Sequence, residues 1–209
     1  MKRYLSATLI ALLAAAPLGA QAPKGWKLRA DRSTTAADPD APGQIKLATM
    51  GSGLHMTNPQ AAVFWNPTNT ASGTYTVKAT FTLVRPSPHT NFYGLVFGGS
   101  ALEGPEQSYL YFMVAQDGTW LLKRRDGNMS TQDLARAPSG ALKPLDATGK
   151  FTNGLEVRVL ADKIDYVVNG TVVHSTPKTG MTAKTDGIYG IRINHQLEVH
   201  VDGFGTSRG

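Results

Sequence analysis

The stretch from Thr74 to Val84 alternates without a break. Tyr75, Val77, Ala79, Phe81 and Leu83 fall on one side, and Thr74, Thr76, Lys78, Thr80 and Thr82 on the other. Successive side chains of a strand point to opposite faces, so this pattern predicts a strand with one buried and one wet face. Beyond the first 22 residues no window keeps a 3.6-residue apolar period. The segments there are short, rich in Val, Ile, Thr, Tyr and Phe, and broken by Gly, Pro, Asn and Asp. The chain is therefore expected to be all-β, a two-sheet antiparallel sandwich of roughly ten to thirteen strands. Phe92 to Phe97 and Tyr109 to Val114 are apolar on both faces. Such strands are expected centrally, covered on both sides or presenting one side to a ligand.

The first 22 residues differ in kind. Lys2 and Arg3 precede an apolar run from Leu5 to Ala16, and Ala20 and Ala22 supply small residues for cleavage. This reads as a secretory signal over residues 1–22, followed by one domain over residues 23–209. The apolar run falls short of the ~20 residues that a membrane-spanning helix needs. Cleavage after Ala22 places Pro23 beside the cut, whereas cleavage after Ala20 places Leu18 at the −3 position, and both stay open. The expected location is periplasmic or secreted, with no membrane insertion after cleavage.

The chain has no cysteine, which excludes thiol nucleophiles, thiolate metal sites, disulfides and a lipidated cysteine. About 187 residues remain after residues 1–22, enough for one domain with a real core. The net charge of +6 falls to +4 once Lys2 and Arg3 are removed. The cations are scattered, with Lys123-Arg124-Arg125 the densest run, so no nucleic-acid partner is expected.

Turn chemistry predicts several hairpins. Asp117-Gly118 reads as a two-residue turn that sets Met113 opposite Leu122 and Tyr111 opposite Arg124. Asn169-Gly170 sets Asp165 opposite His174, and a turn at Ala161-Asp162 sets Arg158 opposite Asp165. Leu155, Val157, Val159, Ile164, Tyr166, Val168 and Val173 then share one apolar face. A three-residue loop, Asn194 to Gln196, would pair Ile193 with Leu197 and Arg192 with Glu198. Residues 31–53 and 127–150 lack strong periodicity, although Ile45 to Met50 reads as a short strand.

The order of these segments carries a resemblance. An early Trp26 is followed by Phe64-Trp65, Tyr75-Thr76-Val77, Tyr93-Gly94-Leu95-Val96-Phe97 and Tyr109-Leu110-Tyr111-Phe112. Then come Asp117-Gly118-Thr119-Trp120, Leu155-Glu156-Val157, Val168-Asn169-Gly170, Gly187-Ile188-Tyr189-Gly190-Ile191 and Asp202-Gly203-Phe204. The chain resembles the concanavalin A-like (laminin-G-like) jelly roll, and within it the bacterial exported domains grouped with 3-keto-disaccharide hydrolases. The resemblance implies a β-sandwich that binds or acts on sugars. It also implies a Ca²⁺ site, for which the Asp38-Pro39-Asp40 loop is the candidate donor.

Three sets of side chains are candidates for chemistry. In the predicted register Tyr109, Tyr111, Trp120 and Arg124 share one face, where aromatic rings beside a cation would stack on a sugar. The same face would be core if another sheet covered it, and both readings stand. Arg192, Glu198, His200 and Asp202 form a second polar row, and Arg158, Asp165 and His174 a third. Glycoside hydrolysis needs two flanking carboxylates, yet the only glutamates are Glu103, Glu106, Glu156 and Glu198, with no E-x-D-x-x-E strand. The G-x-S-x-G elbow is absent as well. His55, His89, His174, His195 and His200 show no pairing at metal-ligand spacing. The expected function is thus an exported, non-catalytic module that interacts with a glycan. The alternatives are a hydrolase or lyase of 3-keto-glycosides, and a structural or adhesion domain.

Overall fold

The computed structural model describes residues 23–34, 36–128 and 130–208, so the expected signal segment lies outside the described residues. Fourteen strands are present among them. In chain order they are β1 (Lys27–Asp31), β2 (Lys46–Met50), β3 (Gly53–Asn58), β4 (Ala61–Ala71) and β5 (Tyr75–Arg85). Next are β6 (Phe92–Ser100), β7 (Ser108–Ala115), β8 (Thr119–Asp126), β9 (Ser130–Pro138) and β10 (Phe151–Val159). The last are β11 (Lys163–Val168), β12 (Thr171–Pro177), β13 (Gly187–Ile193) and β14 (Leu197–Arg208). The short strand expected before Met50 is β2, and the stretch at 127–150 contributes the edge strand β9.

Two seven-stranded antiparallel sheets result. The first runs β1-β4-β13-β6-β7-β8-β9 and the second β12-β11-β10-β5-β14-β3-β2. The core lies between them. Phe64, Tyr93, Leu95, Phe97, Leu110, Phe112 and Trp120 of the first sheet meet Val77, Phe81, Leu83, Phe151, Leu155 and Tyr166 of the second. At roughly 1.5–3 kcal/mol per fully buried large apolar side chain, this interface dominates folding. β5 shows the alternation expected of it, with every second residue from Tyr75 to Leu83 buried. β6 and β7 sit centrally in the first sheet, as their two apolar faces predict.

Three registers differ from expectation. The β7–β8 loop has three residues, not two: Gly118 N–H donates to Ala115 C=O at 3.1 Å, and Gly118 holds φ at 81°. A type I turn closed by a left-handed glycine is the other common way to connect a hairpin. Val114 then pairs with Trp120, Met113 with Leu121 and Tyr111 with Lys123. One step of slip exchanges the faces of the whole second strand. The β11–β12 turn has the expected two residues, with φ of 48° at Asn169 and 83° at Gly170. A bulge between Tyr166 and Val167, with Val173 the extra residue on β12, then moves Asp165 from His174 to Ser175. The Arg158–Asp165 pairing holds.

The third difference is topological. β13 and β14 form no hairpin: β13 pairs with β4 and β6, while β14 pairs with β3 and β5. The Asn194–Gln196 loop crosses from one sheet to the other. Arg192 and Glu198 therefore sit on opposite outer surfaces of the sandwich, not side by side.

Candidate functional site

The outer face of the first sheet is unlike an ordinary wet sheet surface. Val63, Trp65, Phe92, Val96, Tyr109, Tyr111, Met113 and Leu121 form a second apolar cluster there, joined by Leu102 from the β6–β7 loop. Tyr109 and Tyr111 lie with ring centroids 5.1 Å apart, and both are buried. Burial raises the ionisation of both phenols above the ordinary value, so they act as neutral donors and acceptors.

A ring of cations lies over this cluster. Arg192 of β13 donates to Asp31 of β1 and, at 3.3 Å, to the Tyr109 hydroxyl. Arg29 Nε and Arg125 Nη2 each lie 3.7 Å from Asp31 Oδ1. Three guanidiniums thus surround one carboxylate, with side-chain exposures of only 11–20%. Gln107 is fully buried beside them, and its amide oxygen turned toward them accepts from Arg29 at 3.2 Å and Arg125 at 3.3 Å. Arg29 also donates to Gly104 C=O and to the Asn128 side chain. Long cationic stems cover apolar surface while their heads stay polar, which explains how this face is buried without a third layer. Arg136 does the same over the Phe92 ring, 4.8 Å from its centroid.

Beside the arginines opens a cleft of about 400 Å³ lined by Lys27, Leu28, Arg29, Trp65 and Glu103. It sets charged groups of both signs over Trp65, which is itself only 2% exposed. A larger cleft of about 620 Å³ lies among Thr70, Ser72, Thr74, Tyr75, Thr206 and Arg208. Its aromatic hydroxyl is already committed, since Tyr75 donates to Thr185 C=O at 2.5 Å.

The predicted aromatic set is divided between two surfaces. Tyr109 and Tyr111 lie on the outer face, whereas Trp120 is a core residue and stacks on His174 at 5.0 Å. Arg124 turns to the Trp120 side, where it donates to Met181 C=O at 3.0 Å and Ser108 Oγ at 2.9 Å. The second polar row keeps three members on the outer face of the second sheet. His55 Nε2 lies 3.2 Å from Glu198 and His200 Nε2 lies 3.2 Å from Asp202, while Arg192 belongs to the cluster described above. In the third row, Arg158 pairs with Glu156 at 2.8 Å, and Asp165 accepts from Ser175 at 2.6 Å. That hydrogen bond, with Lys163 beside it, lowers the Asp165 pKa below the usual carboxylate value. His174 leaves this row for the aromatic stack.

Sequence reasoning missed Asp31, Arg29, Arg125 and Trp65 as one group. The one signal was the Lys123-Arg124-Arg125 run, whose members a strand sends alternately to opposite faces. It also missed a meeting of loops at one end of the sandwich. There the Asp38–Asp40 segment reaches His89 of the β5–β6 loop and His195 of the β13–β14 loop. Asp38 Oδ1 lies 3.0 Å from Nε2 of both histidines, and those two nitrogens are 3.2 Å apart. The loop expected to serve Ca²⁺ therefore presents imidazole nitrogens beside its carboxylates.

Solved structures share this architecture. The carbohydrate binding module CBM66 from Bacillus subtilis aligns with a TM-score of 0.62 at 10% identity, over 88% of this chain and 95% of that one. A Bacillus subtilis protein of unknown function with a galectin-like fold aligns at 0.63 and 16% identity, over 88% and 90%. An endo-β-1,3-glucanase from Pyrococcus furiosus aligns at 0.57 and 12% identity, over 92% of each chain. No protein-family model matches the chain. No curated protein sequence matches it either. The fold is that of the concanavalin A-like and galectin-like β-sandwiches.

Proposed function

We propose that this chain is an exported saccharide-binding β-sandwich that takes its ligand at the Trp65–Arg29 cleft and prefers sugars carrying a carboxylate or sulfate. The observation that carries this reading is the excess of guanidinium around Asp31, next to an open cleft. One carboxylate shared by three guanidiniums leaves the cluster with two positive charges in excess, and planar guanidiniums bind oxyanions in paired hydrogen bonds. The similar solved structures support it, since one is named a carbohydrate binding module and another an endo-β-1,3-glucanase.

A binding role is favoured over hydrolysis by the state of the acids. Asp31 holds three arginines in place, and Glu103 pairs with Lys27 at 2.5 Å. Asp31 is therefore not free as an acid or base, and Glu103 has no second carboxylate beside it in the cleft lining, as glycoside cleavage requires. The alternative of a 3-keto-glycoside hydrolase rests on Glu198, His200 and Asp202 of the second sheet together with Arg192, which lies on the first. The segment 1–22 supports export to the periplasm or beyond.

Thermal unfolding of residues 23–209 with a saccharide panel tests the reading. A uronate or sulfated oligosaccharide is expected to raise the midpoint, because a ligand that binds only the folded state stabilises it. Neutral sugars should shift it less, and Arg29→Gln should remove the difference. Equal response to neutral and acidic sugars overturns the anion preference. No response to any sugar overturns the binding reading, and turnover of a 3-keto-disaccharide would replace it with the enzymatic one.

A further inference from the structure

We infer that Asp38, His89 and His195 form a binding site for a divalent transition metal of the Zn²⁺ class, at the end of the sandwich and independent of the saccharide cleft. The three donor atoms form a triangle with sides of 3.0, 3.0 and 3.2 Å. Bonds of about 2.0–2.1 Å at tetrahedral angles put neighbouring ligand atoms ~3.3 Å apart. The triangle needs only a few tenths of an ångström of expansion to become one face of such a site.

The hydrogen-bond partners give a second, independent reason. His195 Nδ1 lies 3.1 Å from Asp40 Oδ1, and Asp40 Oδ2 accepts from Ser33 N–H at 2.9 Å. Asp40 can only accept, so it draws the proton of neutral His195 onto Nδ1 and leaves a lone pair on Nε2. That lone pair faces the Asp38 carboxylate, which can also only accept. His89 Nε2 faces the same carboxylate and lies 3.0 Å from the Asn91 amide nitrogen, a donor. Asn91 Nδ2 carries two hydrogens for three acceptors, Ser87 Oγ, His195 C=O and His89 Nε2. When it serves the first two and His89 holds its proton on Nδ1, two imidazole lone pairs and a carboxylate oxygen converge with no proton between them. A metal cation resolves the conflict and uses all three.

Orientation is built in. His195 is 5% exposed, and its carbonyl accepts from Asn91 Nδ2 at 2.9 Å. Gln196 Nε2 donates to Pro39 C=O at 3.0 Å, which ties the acidic loop to the histidine loop, and Ser33 Oγ donates to Asp38 C=O at 2.7 Å, which braces the acidic loop itself. The Asp40–His195 contact is the carboxylate-to-imidazole support that fixes ring orientation at many metal ligands. Two imidazoles and one carboxylate select a borderline metal over Ca²⁺, which prefers oxygen cages. The Asp38 and His89 side chains are 50% and 40% exposed, so a fourth position faces solvent and takes water or a ligand oxygen.

Titration of chelator-stripped protein with Zn²⁺ by calorimetry, and with Co²⁺ by visible absorption, tests this. One equivalent should bind, and Co²⁺ should show the intense bands of a low-coordinate N/O site. His89→Ala, at a half-exposed ring, should abolish saturable binding while circular dichroism stays native. Asp38→Asn serves the same purpose should His89→Ala disturb the fold. Asp40→Asn should weaken binding ~10–100-fold. The double change His55→Ala/His200→Ala should leave binding intact. Absence of saturable binding overturns the site and leaves His195 as a structural hydrogen-bond link between Asp38 and Asp40. Binding that survives His89→Ala and Asp38→Asn, or is lost with His55 and His200, overturns it too.

Discussion

The two sheets turn opposite kinds of surface outward. On the second, the outward positions of β5 are Thr76, Lys78, Thr80 and Thr82, and those of β14 include Glu198, His200 and Asp202. On the first, the outward positions of β4, β7 and β8 include Val63, Trp65, Tyr109, Tyr111, Met113 and Leu121, roofed by arginines. A sheet needs only one apolar face to fold, so the second sheet shows the economical pattern. The extra aromatic and cationic layer on the first goes beyond what packing against the other sheet demands, and that excess marks its outer face as the place to look for function.

The largest expected effect probes the boundary between core and outer face. Trp120→Ala should cost about 3–5 kcal/mol, as for a large aromatic removed from a core, read as a lower urea midpoint. Retained stability would return Trp120 to the outer face. Next, Asp31→Ala should cost about 3 kcal/mol, because it leaves three crowded guanidiniums without their carboxylate. The loss should shrink at high salt, which screens their repulsion. On the second sheet, Glu198→Ala should cost under about 1 kcal/mol, since its pairs with His55 and Arg85 lie on the wet outer face. Equal costs at Asp31 and Glu198 would erase the contrast between the faces.

A smaller effect depends on pH. Burial lowers the pKa of His174 from 6.5, so the fold favours its neutral form. A base with a depressed folded pKa contributes fully above its unfolded value, and that contribution fades as pH falls through the folded one. Asp165, depressed from 3.8 by Ser175, keeps its contribution until pH falls below that range. The urea midpoint should therefore drop first below about pH 6.5 and again below about pH 4. His174→Phe should remove the first step and keep the second. The smallest effect is Lys78→Ala, on the wet face, expected within ~0.5 kcal/mol of the parent.

Much of the fold could be read from local pattern. The alternation at Tyr75 to Leu83, the doubly apolar β6 and β7, and the Asn169-Gly170 and Ala161-Asp162 turns all stand where short-range chemistry puts them. The sandwich class follows from them. Less of the site was legible. Tyr109, Tyr111 and Arg192 lie where the outer-face cluster forms, but the chain pattern grouped them with Trp120, Arg124 and Glu198, which are elsewhere.

What the sequence by itself determined was local: strand positions, the buried side of each alternating strand, and most turns. These depend on residues one to four apart, where backbone geometry and side-chain period leave few choices. What only the tertiary structure decided was which strands meet. Arg192 opposite Glu198 looks complementary, yet each charge finds a partner across the fold, Arg192 in Asp31 and Glu198 in His55 and Arg85. Charge pairing therefore cannot choose between a hairpin and a crossover. Hydrophobic burial against a whole second sheet can, and it carries β14 away from β13. The same long-range packing brings Asp38, His89 and His195 to one point, because loops so distant in sequence meet only once both sheets have closed on their common core.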